Sequence, residues 1–193
     1  GWPGLLVGDM SQPRGGPTGA GHISHQIGLD ADIWLTPMPD RRLTKQERKE
    51  MSAISVRAKD RKTVDPKVWT QEHYNLLRAA ASFPEVARIL VNPVIKKKLC
   101  QTAGSDRGWL RKIRPWNGHY YHFHVRLSCP DGVANCRNQA PPAAGDGCGA
   151  DLARWFVPPP KVKAGKKKRK HKEKSPLMMA DLPQQCRAVL GAN

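Results

Sequence analysis

No stretch of this 193-residue chain approaches the roughly 20 consecutive apolar residues of a membrane-spanning helix. His-Glu-x-x-His, the ligand pair of the common zincin helix, is also absent. No serine is followed by lysine three positions later, so the Ser-x-x-Lys acylation centre is missing, as are a G-x-S-x-G elbow and a phosphate-binding glycine loop. None of the five cysteines forms Cys-x-x-Cys, which argues against thioredoxin-type redox chemistry and structural zinc. Acidic residues are scarce: 16 Asp and Glu stand against 33 Lys and Arg, a net charge of +17.

The excess charge has a location. Lys161 to Lys174 holds nine basic residues and one acid, net +8, directly after Pro158-Pro159-Pro160. A run of this kind is a solvated arm that can meet any polyanion, including anionic envelope surfaces. No finger spacing, clear helix-turn-helix or stacking-aromatic platform accompanies it, so no specific nucleic-acid partner is expected.

What the chain does have is histidine in two places. Of seven histidines, His22 and His25 precede Asp30 and Asp32, while His119, His122 and His124 crowd a second segment. Tyr121 to Leu127 alternates in polarity, which predicts a strand with His122, His124 and Arg126 on one face and Phe123, Val125 and Leu127 on the other. Same-face neighbours lie roughly 6.5–7 Å apart, so one histidine can bind a metal while the other serves the reacting group beside it. His119 has the wrong parity for that face and has to enter from the preceding turn. Leu29 to Leu35 alternates in the same way, with Asp30, Asp32 and Trp34 opposite Leu29, Ala31, Ile33 and Leu35. If Asp32 and His124 project from the polar faces of neighbouring strands, His25 can complete the three N/O ligands of a catalytic zinc site.

Between the clusters the pattern is α+β. Thr44 to Ile54 is helix-compatible, with Thr44 as N-cap and Glu47 completing a capping box. Thr70 to Ala81 places Tyr74, Leu77 and Ala81 along one side of a helix. Val86 to Val91 predicts a buried strand, and Asn92-Pro93 caps a helix over Val94 to Gln101. The expected fold is a small antiparallel sheet with flanking helices, long loops and the metal cleft on one sheet face. Residues 1–157 form the catalytic domain; 158–193 form a Pro-rich, basic tail that returns to the body near Cys186. Cys129 and Cys136 bracket Pro130-Asp131-Gly132, a turn that a disulfide could close.

Ser24-His25-Gln26-Ile27-Gly28-Leu29-Asp30-Ala31-Asp32 and His122-Phe123-His124 resemble the S-H-x-x-G-x-x-x-D and H-x-H elements of the zinc peptidase group that contains lysostaphin, the D-Ala-D-Ala peptidases and the hedgehog domain. With Val91-Asn92-Pro93, Asp106 to Lys112, Arg114-Pro115-Trp116, His124 to Leu127 and Gly145 to Gly149, the chain is more similar to the penicillin-insensitive murein endopeptidases, from about Val7 to Phe156. That resemblance implies a zinc endopeptidase of peptidoglycan, cutting D-alanyl–meso-diaminopimelyl cross-links without sensitivity to penicillin.

By the same resemblance His25, Asp32 and His124 hold one zinc ion, His122 acts as general base, and His119 and His22 line the site. His22 and Asp60 are accessory metal candidates. Thr63 stands where some members have a second-metal histidine, so a second ion is not expected. Arg14 and Arg126 are candidates for the substrate's carboxylates. The resemblance also pairs Cys100 with Cys148 beside the local Cys129–Cys136 bridge, and leaves Cys186 over. Disulfides point to an oxidising compartment, the periplasm, reached through a signal peptide not present in this chain. Two rivals stand beside this reading: a D,D-carboxypeptidase or dipeptidase on the same fold, and a non-catalytic zinc module with a polyanion-binding tail.

Overall fold

Strands alternating in polarity, separated by capped helices, build one sheet whose two faces have different chemistry. The computed structural model describes residues 1–16, 24–158, 178, 180 and 184–191. In chain order come β1 (Val7–Met10), β2 (Asp30–Trp34), α1 (Lys45–Glu50), α2 (Gln71–Ser82), β3 (Val86–Val91), α3 (Pro93–Thr102), β4 (Ile113–Pro115), β5 (His122–Leu127), α4 (Ala150–Ala153) and α5 (Gln184–Gly191). Short 3₁₀ turns at Gly108–Lys112 and Arg154–Phe156 complete them.

The strands lie in the order β1-β2-β5-β3-β4. Three of its four pairings are antiparallel, as expected, and the fourth makes the sheet mixed: β3 and β4 run parallel. Their connection passes through α3 and a 3₁₀ turn, a crossover long enough to bring the chain back in the same direction. β4 is three residues long and ends on Pro115 at the sheet edge, where a missing N–H costs no ladder bond. Neither β1 nor β4 carries enough alternation to be legible in the sequence.

One face of the sheet is apolar. Ile89, Val91, Ile113 and Phe123 are buried against Leu77 of α2 and Ile95 and Leu99 of α3. Each such side chain contributes roughly 1.5–3 kcal/mol by leaving water. His73 belongs to this structure and not to the site. It is buried, its Nε2 donates to the Leu35 carbonyl at 2.9 Å, and its Nδ1 accepts from Thr70 N at 3.0 Å.

The helix starts follow their caps. Thr44 and Glu47 form the expected capping box, but α1 ends at Glu50, short of Ile54. Asn92 caps α3 by accepting from Val94 N at 3.2 Å, with Pro93 at the first position. Two disulfides hold the loops: Cys100–Cys148 ties α3 to the glycine-rich segment, and Cys129–Cys136 closes the local turn. Cys186 on α5 is an exposed free thiol. Most of the 158–193 tail, including Lys161–Lys174, lies outside the described residues.

Candidate metal centre

The polar face of β2 and β5 is more deeply buried than a half-exposed strand would allow. Asp30, Asp32, His122 and His124 are all buried, whereas Ala31 and Ile33 on the opposite face are only partly so. The register explains the gathering: Asp32 pairs with His124, Asp30 with Arg126, and Trp34 with His122. Directly paired residues project to the same side, so two carboxylates meet two imidazoles and a guanidinium.

Three donor atoms converge. His25 Nε2 lies 3.2 Å from His124 Nδ1 and 3.4 Å from Asp32 Oδ1, and the last two are 3.0 Å apart. Tetrahedral zinc with bonds of about 2.0–2.1 Å separates its ligands by about 3.3 Å, so the triangle has the right size for that ion. Asp32 Oδ1 is buried and makes no well-formed hydrogen bond among the described residues. Such an atom is costly unless a cation meets it. The residues present therefore fit a metal of borderline softness, and this trio is the one group of three such side chains close enough to hold an ion among the described residues. His25 reaches the triangle because Gly28, at φ 79°, turns the chain between it and β2.

The carboxylate behind the triangle was not assigned a role from sequence. Asp30 Oδ1 accepts from His124 Nε2 at 2.7 Å and from Arg126 Nε at 2.6 Å. This orients the His124 ring with Nδ1 toward the triangle, as outer carboxylates do for ligating histidines. The available signal was positional: Asp30 shares a strand face with Asp32 and stands opposite Arg126.

Burial alone would raise the Asp30 and Asp32 carboxyls. For Asp30, hydrogen bonds from His124 and Arg126 outweigh it; for Asp32, His124 and His122 do, and both acids sit below the usual range. Burial disfavours a charged His124, yet the two carboxylates raise it to about 9. His122 Nε2 is 3.5 Å from Asp32 Oδ2, but burial dominates there and pushes the ring down to about 4, leaving a neutral imidazole at neutral pH.

His119 enters from the turn, as its parity requires. Its φ of 50° and that of Gly118, 69°, are left-handed, and they bring its ring to 4.8 Å from His122 and 6.0 Å from His124. Its Nδ1 donates to the Asn117 carbonyl at 2.8 Å. Asn92 holds the same turn: its N–H donates to His119 O at 2.8 Å and its Nδ2 to Gly118 O at 2.6 Å. Asn92 was legible as a cap but not as this tether.

The remaining candidates separate. His22 lies outside the described residues. Arg14 is exposed in the turn that Gly16 N ties to Gln26 O. Arg126, a candidate for the substrate's carboxylates, donates its Nε to Asp30 and is largely buried. Asp60 is exposed and spends its carboxylate on its own loop, accepting from Lys62 N at 2.8 Å and contacting Thr63 Oγ1. Those bonds hold its carboxylate within its own turn.

Comparison with known proteins agrees with this geometry. The family model described as penicillin-insensitive murein endopeptidase matches residues 1–191. A protein of that name from Haemophilus influenzae is 53% identical over 161 residues, covering 82% of this chain and 55% of the relative. One from Klebsiella pneumoniae is 51% identical over 155 residues, 80% of this chain and 56% of the relative. One from Yersinia enterocolitica is 46% identical over 187 residues, 96% of this chain and 64% of the relative. The chain thus spans a little over half the length of the first two.

Proposed function

Because the chain belongs to the penicillin-insensitive murein endopeptidase family, we propose that it is a zinc-dependent peptidoglycan endopeptidase that hydrolyses D-alanyl–meso-diaminopimelyl cross-links. The observation that carries this reading is the buried His25–Asp32–His124 triangle with neutral His122 beside it.

His25 Nε2, Asp32 Oδ1 and His124 Nδ1 hold the ion. Bound zinc supplies Lewis acidity that polarises a carbonyl and makes water more acidic. The protein's own groups do the rest. His122 takes a proton from the attacking water as the carbon–oxygen bond forms, then gives it to the leaving amine as the carbon–nitrogen bond breaks. Asp32 steadies the imidazolium between those transfers, since its Oδ2 faces His122 Nε2. His119, set by its left-handed turn, orients the water or the substrate, and His22 is proposed to do the same. Arg14 is a candidate for the substrate's carboxylates. A zinc centre of this kind uses no serine nucleophile, and the Ser-x-x-Lys centre that β-lactams acylate is missing from the sequence.

Two disulfides suit the oxidising periplasm, where this substrate is found. No helix among the described residues is long and apolar enough to cross a membrane. Lys161–Lys174 is proposed to give electrostatic contact with anionic envelope surfaces.

The test is digestion of purified cross-linked muropeptide dimers, read by mass spectrometry, before and after chelation and zinc restoration. Conversion of dimer to monomer, stopped by chelator and restored by zinc, is the expected result and identifies the cut bond. Release of terminal D-alanine from free stems with dimers left whole would support the carboxypeptidase reading. No cleavage by folded, zinc-loaded protein would support the binding module.

A further inference from the structure

Across the sheet a single row of directly paired residues runs Asp32, His124, Leu90, Arg114, one from each of β2, β5, β3 and β4. Paired residues share a face, so Arg114 stands on the same side as the metal donors, two strand spacings or about 10 Å from His124. There it lines an open cleft of about 520 Å³ with Pro115, Asn117, Gly147, Arg154 and Trp155. Asn117 connects the two regions, since its carbonyl also holds His119.

The inner end of this cleft has an excess of positive charge. Arg114 is half-buried, and its guanidinium makes no hydrogen bond or ion pair among the described residues. Beneath it lies Lys96, fully buried, whose Nζ donates only to the carbonyls of Leu110 at 2.7 Å and Asp146 at 2.5 Å. The Asp146 carboxylate is already occupied by Arg107 Nε at 2.7 Å and Cys148 N at 2.9 Å. Burial first, and then the charge of Arg114, push the Lys96 amine down to about 7. At the rim Arg154 pairs with Asp151. Arg114, Lys96 and Arg107 therefore have the one committed carboxylate of Asp146 among them.

The backbone is shaped to the same end. Gly147 has φ 68°, a left-handed conformation that favours glycine, and a Cβ there would lie 3.2 Å from Arg114 Nη1, so the guanidinium lies close against the loop. The Cys100–Cys148 disulfide anchors that loop to α3.

We propose that this cleft is a subsite for a free carboxylate of the peptide substrate, received by the Arg114 fork with the Lys96 amine packed below it. The assignment rests on the endopeptidase reading for the identity of the peptide. A planar, singly charged carboxylate matches one guanidinium bidentately, whereas Asp151 at the rim disfavours a doubly charged phosphate. At about 3.3 Å per extended residue, 10 Å places the recognised carboxylate within about three residue lengths of the cut bond.

The test compares two cross-linked muropeptides that differ only in amidation of their free carboxylates, using the zinc-loaded chain as wild type, Arg114→Gln and Arg114→Lys. Wild type is expected to show a KM about 10- to 100-fold lower for the free acid, the range of a charge-assisted hydrogen bond. Arg114→Gln brings the two KM values within twofold, and Arg114→Lys recovers part of the difference. A second measurement does not depend on cleavage: Gly147 and Asn117 amide shifts are followed by NMR as a free stem tripeptide, its amidated form, or inorganic phosphate is added to wild type. Shifts with the free acid alone support the subsite even if no dimer is cut, which separates its fate from that of the endopeptidase reading. A wild type indifferent to amidation, or amide shifts driven equally by phosphate, would overturn it.

Discussion

Asp30 Oδ1 receives His124 Nε2 at 2.7 Å and Arg126 Nε at 2.6 Å, so one buried oxygen orients a metal donor and neutralises the nearest cation. At the proposed metal centre the carboxylate would act only through His124. Asp30→Asn is therefore expected to lower zinc affinity about 10- to 100-fold with His25, Asp32 and His124 all present. Competition against a chromophoric chelator measures this directly. An affinity within twofold of wild type would mean that His124 holds its orientation without Asp30.

His122 lies outside the donor triangle but faces the second oxygen of Asp32. Its loss should therefore separate binding from chemistry. His122→Ala is expected to bind zinc as wild type does while cleaving muropeptide dimers about 10²- to 10⁴-fold more slowly, the usual contribution of a positioned acid–base group. Unchanged cleavage would remove His122 from the mechanism.

Much of this site was legible because strand parity is a strong constraint. The alternation around His122 and Asp32 put His124 and Asp32 on polar faces, and the sheet joins those faces by pairing β2 with β5. Parity also excluded His119 from the strand, and a left-handed turn delivers it instead. The sequence misled where pairing, not pattern, decides exposure: Asp30 and Arg126 resemble solvent-facing strand residues but bury one another. Arg114 was visible only as part of a motif. Its position beside the centre depends on the parallel return of β4, which no local pattern encodes.

Asn92 couples a helix start to the turn that carries His119. It caps α3 through Oδ1 and holds Gly118 O through Nδ2. Asn92→Ala is expected to cost about 2–3 kcal/mol, from roughly 1 for the cap, about 1 for the lost hydrogen bond and a further share for the unpaired Gly118 carbonyl. Asn92→Ser keeps a capping oxygen and loses only the turn bond. Chemical denaturation ranks the two, and the alanine variant should also show reduced kcat because the turn that carries His119 loses its Gly118 tether. Equal stabilities for the two variants would assign the whole effect to the tether and none to the cap.

Lys96 gives the fold a pH dependence whose sign is fixed by its surroundings. Its amine is buried among carbonyls beside Arg114, and its folded pKa of about 7 lies below the ordinary value of 10.5. Between about 7 and 10.5 the unfolded chain binds the extra proton, so stability rises with pH across that window, by at most about 1.4 kcal/mol per pH unit. Below about 7 both states are protonated and the cost of burying the charge is present in full. Lys96→Met removes the titration and leaves distant groups common to both proteins, so their contributions cancel in the comparison. Denaturant unfolding of the zinc-loaded pair at pH 6.5, 8 and 9.5 should show wild type gaining on the variant at each step. A constant difference across that range would mean that Lys96 keeps an ordinary lysine pKa, with enough water or counter-charge at its amine to stabilise the protonated form.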